Sequence, residues 1–565
     1  MAGWLALVPA VPFLLACMLA IPRARRLWRL TPLAVLPALV VAFAAPDGAH
    51  ARYDWFLLGT ELALDPIGRG FLVLSALLWG AAALYAQGYH RDDSKVVRFH
   101  VFFLLAMAGN LGLVLAYDVV SFFVYFALMS VASFGLVVHE GRPECWRAGW
   151  VYLALAVIGE VALFSALAWQ VGAAAGRLAL ADLAVVPPSA AVLALLIVGF
   201  GIKAGLLPLH VWLPLAHPAA PTPASAVLSG AMIKAGLLGW LRLLPSGEPL
   251  VIVGDLLLVL GLLGAYFGVI VGVTQRRPKT VLAYSSISQM GLMTAGLGLA
   301  LRWPELAPAL IASLVFYALH HGLAKGALFL GVGIAERPPG RWSLLVTLWP
   351  ALALAGLPLT SGAVAKLALK APLEDPSRPD TALVLLLLTL AAAGTTLLMV
   401  RFFMVIGRSA GPRKLLSWWM VGPWLLLSLA AFALPWAWDP ESARAPLALD
   451  KVWSLSWPIG LGLLVGFAAM LLARSPRVPR IPTIPEGDLL EPLERGSVKL
   501  VRVLHGWVPG WQGGFEPRSF VDRVLGLRAF GEGGERVEIG LRRWEVQGAV
   551  VLLVMLGLFG LLAGS

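Results

Sequence analysis

Over most of this chain the apolar residues neither alternate with polar ones nor recur at helical spacing; they run on uninterrupted, as in residues 101–115, 192–202 and 382–393. Each run sits in a window long enough to cross the roughly 30 Å hydrocarbon layer as a helix. Strand-like alternation is absent, and a lipid-exposed backbone must satisfy its own hydrogen bonds, so the pattern predicts a helical bundle and not a barrel. Counting windows predicts an all-α polytopic membrane protein with about 14–16 transmembrane helices. Residues 1–98 form an N-terminal helical region, and residues 99–410 a core that carries nearly all the intramembrane charge. Residues 411–473 add C-terminal transmembrane helices, 474–546 a polar segment rich in Pro, Gly and Arg, and 547–565 a last helix. Within the polar segment, Lys499, Arg502 and His505 recur at helical spacing, which fits either an amphipathic helix lying on the membrane surface or a solvated linker.

Composition agrees with the pattern. Of 565 residues, 59% are hydrophobic and 13% charged, with mean hydropathy +0.85, whereas a soluble domain is roughly a quarter charged. The formal charge of +12 does not point to nucleic acid, because the basic residues lie in short clusters between apolar runs. Loops 23–29, 91–98, 142–147, 276–279, 337–341 and 408–414 are basic, while 172–189, 245–249 and 371–380 are poor in Lys and Arg. By the positive-inside rule this alternation places the N-terminus outside a bacterial or archaeal inner membrane. The apolar run 4–21 precedes its positive charges, so it reads as a retained helix and not a signal peptide. Cys17 lies in an apolar run and Cys145 in a loop, with no CxxC and no pair to bridge. No metal and no cofactor are therefore expected.

The chemistry must come from charges inside the spans. A lysine near the bilayer centre costs on the order of 3 kcal/mol to insert, so a chain that keeps several must hold them in a polar interior or a water-filled path. Lys203, Lys234, Lys325 and Lys366 each have apolar residues on both sides. A proline or glycine inside a span frees backbone carbonyls that water, an ion or a side chain must satisfy. Lys203 is followed by Gly205 and Pro208, and Lys366 is preceded by Gly356, Pro358 and Gly362, so both sit beside predicted helix breaks. His210, His217, Thr222, Ser225 and Ser229 lie near the first pair, and Tyr284, Ser285, Ser288, His320 and His321 near the second. His321 and Lys325 are one turn apart on a shared face. Histidine passes protons in either direction near neutral pH, and desolvation makes an ammonium a readier donor. Glu160 is the one carboxylate expected well inside a span, and hence the candidate partner for a lysine.

At these residues the sequence resembles a known family. The run Lys203-Ala-Gly-Leu-Leu-Pro208-Leu-His210-Val-Trp212-Leu-Pro214, continued through Pro221-Thr222-Pro223 and Ser225 to Lys234-Ala-Gly236, resembles the signature of the antiporter-like, proton-translocating membrane subunits. These include the antiporter-like subunits of complex I, membrane-bound hydrogenase subunits and Mrp cation/proton antiporter subunits. Leu282-Ala-Tyr284-Ser-Ser-Ile-Ser288-Gln289, His321-Gly-Leu-Ala-Lys325, and Ala355-Gly-Leu-Pro358 through Lys366 are similar to further motifs of that family. The resemblance covers roughly residues 100–410 and implies fourteen core helices with two inverted five-helix repeats. It puts a lysine on the broken helix of each repeat, Lys203 and Lys366, with Lys234 as the connecting lysine and His321 with Lys325 as the second relay.

One departure concerns the fifth helix, where the family usually has a glutamate and this chain has Ala127. Either Glu160 on the next helix takes over, or the first half-channel is inactive. Ser229, standing where complex I subunits often have histidine, tilts the resemblance toward the Mrp and hydrogenase branches. The reading is a proton, or cation/proton, translocating subunit of a multi-subunit complex. Protons would pass along Lys203, Lys234, Lys325 and Lys366 with His210, His321, Glu160, Ser229 and Ser288. The expected partners are other membrane subunits, the lipid bilayer and protons, with sodium as the alternative coupled ion and no nucleic acid. A structural subunit with a partly disabled channel, and a membrane subunit of a proton-driven inorganic-carbon uptake complex, are the alternatives.

Overall fold

The computed structural model describes residues 2–245, 247–337, 342–375, 381–406, 416–474 and 484–492. Among these residues, twelve helices are long and apolar enough to cross a membrane, and the chain is an all-α polytopic membrane protein. Two interrupted helices and the more polar Pro278–Arg302 add three further passes, which brings the tally inside the range expected from the sequence. The segment carrying Lys499, Arg502 and His505, the expected last helix at 547–565 and the basic loop 408–414 lie outside the described residues.

Local chemistry starts the helices where the sequence turns polar. Asp65 accepts from Gly68 N at 2.7 Å, Asp118 from Ser121 N at 2.8 Å and Ser189 from Val192 N at 3.3 Å, each satisfying a donor that the first helical turn cannot. Proline opens Pro22–Val35, Pro66–Tyr89, Pro143–Ala173 and Pro278–Arg302, where its missing N–H costs nothing.

That rule explains two corrections. The arginines at 23–29, expected in a loop, lie in the 3-10 helix Pro22–Val35 that leads into Leu36–Ala44. Cys145, also expected in a loop, is buried in the first turn of Pro143–Ala173, its Sγ donating to Ala219 O at 3.6 Å. A third difference is a short antiparallel hairpin, Ala49–Tyr53 paired with Thr60–Leu64. It is pinned to the start of Val119–Val137 by Glu61 N donating to Asp118 Oδ2 at 2.8 Å.

The bundle is layered by burial. Thr222–Leu243 is its most enclosed span, 94% buried along its apolar window, whereas Val251–Gly272 is 33% buried and turns Ile252, Val259 and Ile270 outward. Val251–Gly272 lies against Pro278–Arg302 at backbone contact: a Cβ at Gly261 would stand 2.5 Å from Ala295 N, and one at Gly298 2.5 Å from Gly254 O. Small residues at such crossings let van der Waals packing replace the hydrophobic drive that lipid removes.

Candidate functional site

The first broken helix is Ala190–Ala204, ended by Gly205 in the left-handed region and resumed at Trp212–Ala219. Lys203 is the penultimate residue before the break and is buried. Its Nζ donates to Tyr152 Oη at 3.3 Å and lies 5.4 Å from the Phe126 ring centroid and 5.5 Å from that of Tyr152. Tyr152 passes the link on, its hydroxyl donating to Ser130 O at 2.9 Å. Beside this lysine lies a small, water-sized hollow bounded by Phe126, Ser130, Tyr152 and Trp212 among others. Among the described residues Lys203 has no ion pair within 4 Å. Glu160 interacts with it electrostatically from the neighbouring helix, and its Oε1 is buried without a hydrogen-bond partner. Ala127 is buried one turn before Ser130 on Val119–Val137.

At the centre the backbone itself supplies the acceptor. Residues Leu228–Met232 form a π-helical turn in which Ile233 N reaches back to Leu228 O. π-turns of this kind are frequent at functional sites, and within this one the Ser229 carbonyl accepts from Lys234 Nζ at 2.6 Å. Ser229 Oγ lies 2.7 Å from Ser286 Oγ, which donates to Leu282 O at 3.0 Å. Lys325 Nζ donates to that same carbonyl at 2.8 Å. Lys234 and Lys325, both wholly buried, are thus seated on two carbonyls that Ser229 and Ser286 connect from Thr222–Leu243 through Pro278–Arg302 to Ala307–Ala335, the connection at Ser229 running through the residue itself, from its carbonyl to its hydroxyl.

The second broken helix runs Trp342–Ala355, breaks at Gly356 and resumes as Ser361–Lys370, started by Thr360 Oγ1 accepting from Ala363 N at 3.4 Å. Lys366 reaches back across the gap, its Nζ donating to Leu354 O at 3.0 Å and Ala355 O at 2.5 Å. Gly356 has φ +90°, which favours glycine, and a Cβ there would stand 2.8 Å from Lys366 Cδ and so push the lysine aside. A small, water-sized hollow opens beside it, lined in part by Tyr317, Lys370 and Thr389. His320 Nδ1 lies 2.8 Å from Ser361 Oγ, tying Ala307–Ala335 to the first residue after the break.

Of the residues singled out from sequence, the structure joins Lys234, Ser229 and Lys325, and seats Lys203 and Lys366 beside breaks. His321 is buried with both ring nitrogens lacking hydrogen-bond partners, and interacts electrostatically with Lys234 and Lys325. Ser288 packs against Gly268, a Cβ on which would lie 2.9 Å from Ser288 N, and its hydroxyl has no partner. Among the described residues no hydrogen bond joins Lys203 to Lys234. His210 is wholly buried and meets a group far away in sequence, Asp488, at 3.1 Å. Sequence reading missed Ser286, one helical turn after Leu282, and the buried Lys370, whose Nζ donates to Thr389 Oγ1 at 3.4 Å. The lysine four residues after Lys366 was the available signal for the latter.

Known proteins are similar to this chain in sequence and in fold. The family described as NADH:quinone oxidoreductase/Mrp antiporter, TM, matches residues 116–371. Hydrogenase-4 component B of Escherichia coli is 31% identical over 54% of this chain and 50% of its own length. NADH-quinone oxidoreductase subunit N of Desulforudis audaxviator is 32% identical over 62% of this chain and 74% of its own. This chain thus spans about half the length of the hydrogenase component it matches. In fold it is like a chain of the Mrp complex from Dietzia sp. DQ12-45-1b, with TM-score 0.75, 24% identity, and coverage of 92% of this chain and 62% of that one.

Proposed function

This chain belongs to the NADH:quinone oxidoreductase/Mrp antiporter transmembrane family, and from that membership together with its buried lysines we propose that it is a proton, or cation/proton, translocating subunit of a larger membrane complex. It would sit among other membrane subunits in a bacterial or archaeal inner membrane, N-terminus outside, with protons as cargo and sodium as the alternative coupled ion. The observation that carries the reading is the link Lys234, Ser229, Ser286, Leu282 O, Lys325 at the most enclosed depth of the bundle. Two buried ammonium groups sharing one polar file repel strongly in a low-dielectric interior. A proton arriving at one lysine therefore favours release from the other, and that push is the coupling force. Lys203 and Lys366, each beside a break and a hollow, would load and unload the file from opposite ends.

Cation-driven proton flux in vesicles carrying the complex tests this. Lys234→Ala is expected to reduce flux to background, and unchanged flux in that variant would sink the reading.

The missing carboxylate at Ala127 favours one second reading, a structural subunit whose first half-channel is disabled. Ala127→Glu separates the two. If Glu160 serves Lys203, a second carboxylate competes for the lysine and lowers flux; a disabled channel predicts no change or a gain.

A further inference from the structure

The polar segment after the C-terminal helices returns to the core. Residues 484–492 pack against the Pro278 end of Pro278–Arg302, where Gln275 Nε2 donates to Ile484 O at 3.0 Å and Thr280 Oγ1 to Glu486 Oε1 at 2.9 Å. Between these anchors and the lysine region lies Asp488, 6% exposed. Its Oδ2 accepts from Tyr284 Oη at 2.6 Å and lies 3.1 Å from His210 Nε2, while Oδ1 accepts from Leu489 N. His210 stands on the connection between the two halves of the first broken helix, seven residues after Lys203, with its ring against Phe267 at 5.1 Å.

Resting on the translocation reading above, we propose that Asp488 is a proton-carrying residue of the first half-channel, a carboxylate delivered in trans to the helices by the polar segment. Three observations converge on it. A buried carboxylate is costly unless its oxygens are bonded, and here both are, one of them to an imidazole and a phenol at once. Both partners, His210 and Tyr284, are wholly buried and belong to the motif-bearing core. Glu486, two residues away, is half-buried and lies 3.6 Å from the exposed Arg277, so the segment leads from the buried imidazole to the surface. Burial would raise the Asp488 carboxyl, but its hydrogen bonds to His210 and Tyr284 outweigh this and hold it below the usual value, so the carboxylate is the resting form and a proton occupies it only in transit between His210 and water.

The step conserves charge. The imidazolium of His210 gives its Nε2 proton to Asp488 Oδ2 and keeps the proton on Nδ1; the neutral carboxyl then yields that proton to water at the outer edge of the segment. Run backwards, the same step protonates His210.

The test uses the full chain in its complex, reconstituted in vesicles. Asp488→Asn keeps the size and hydrogen-bonding capacity of the side chain but cannot carry a proton. Flux is expected to fall about a hundredfold, the low end of what a positioned acid–base group contributes, while Asp488→Glu restores most of it. Hydrogen exchange should show residues 484–492 still protected in Asp488→Asn. Infrared difference spectra between acid and neutral pH should contain a carboxyl band that Asp488→Asn deletes and His210→Gln shifts. Wild-type flux in Asp488→Asn, with Lys234→Ala still dead, would overturn the proposal and leave the translocation reading intact. Loss of protection together with flux would also overturn it, since Asp488 would then be a clasp. Undiminished flux in Lys234→Ala would fell both.

Discussion

The two broken helices solve the same problem in opposite ways. Each interruption frees carbonyls in a setting where water is scarce. At the second break those of Leu354 and Ala355 are taken by Lys366 itself. At the first, the Ile202 carbonyl is taken by Trp212 Nε1 at 2.7 Å, and Lys203 is left with one neutral hydroxyl and two ring faces. One lysine is therefore part of the scaffold that repairs the break, and the other takes no part in capping it. Family likeness in the motifs hides this asymmetry, because what differs is the group that caps the carbonyls and not the lysine.

The largest expected effect follows from that difference. Lys366→Met orphans two buried carbonyls, so beyond reducing flux to background it should lower stability by about 2–3 kcal/mol, the cost of leaving such acceptors unsatisfied. Lys203→Met should reduce flux as far at a smaller loss of stability, since it orphans no carbonyl and the facing Glu160 can take up a proton once the lysine is gone. Thermal unfolding of the two purified variants decides it; equal losses would erase the contrast. A smaller effect separates the glycines of the breaks. Both Gly205, φ +73°, and Gly356, φ +90°, are left-handed, so alanine at either costs about 1–2 kcal/mol of backbone strain. Only at Gly356 does the new methyl meet the lysine. At Gly205 it meets Leu213 Cδ1 at 2.8 Å. Gly356→Ala should therefore lower flux markedly more than Gly205→Ala at similar loss of stability, and the reverse order would mean that Lys366 is not held by the break.

What could be read from sequence was whatever is local. A lysine flanked by apolar residues and followed or preceded by Gly and Pro announces a break, and Asp118, Ser189 and the prolines announce helix starts; all of these depend on neighbours a turn away. Rotational phase was not legible. Ser285, Ser286 and Ser288 are nearly equivalent on paper, and only the packing of Pro278–Arg302 decides that Ser286 faces Ser229 while Ser288 faces Gly268. The π-turn that holds the Ser229 carbonyl leaves no residue signature of its own. The pairing of His210 with Asp488 spans a separation of 278 residues, and the composition of the polar segment suggested a linker or surface helix, because nothing in Pro, Gly and Arg content records where a single carboxylate docks.

The smallest effect bears on the region between the breaks, where the two arrangements meet. Ser286 contributes no charge, only a hydroxyl that receives from Ser229 and gives to Leu282 O. Removing it leaves both lysines on their carbonyls, since Lys234 holds Ser229 O and Lys325 holds Leu282 O directly. Ser286→Ala should therefore slow flux only about fivefold, the kinetic equivalent of one neutral hydrogen bond worth ~1 kcal/mol, with unfolding temperature almost unmoved. If the link is a path and not merely packing, Ser286→Thr, which keeps the hydroxyl, should recover the lost rate, while Ser288→Ala beside Gly268 should not change it. Equal slowing by Ser286→Ala and Ser288→Ala would mean that the lysines communicate through space alone, and that the carbonyls of the π-turn and of Leu282 serve only to seat them.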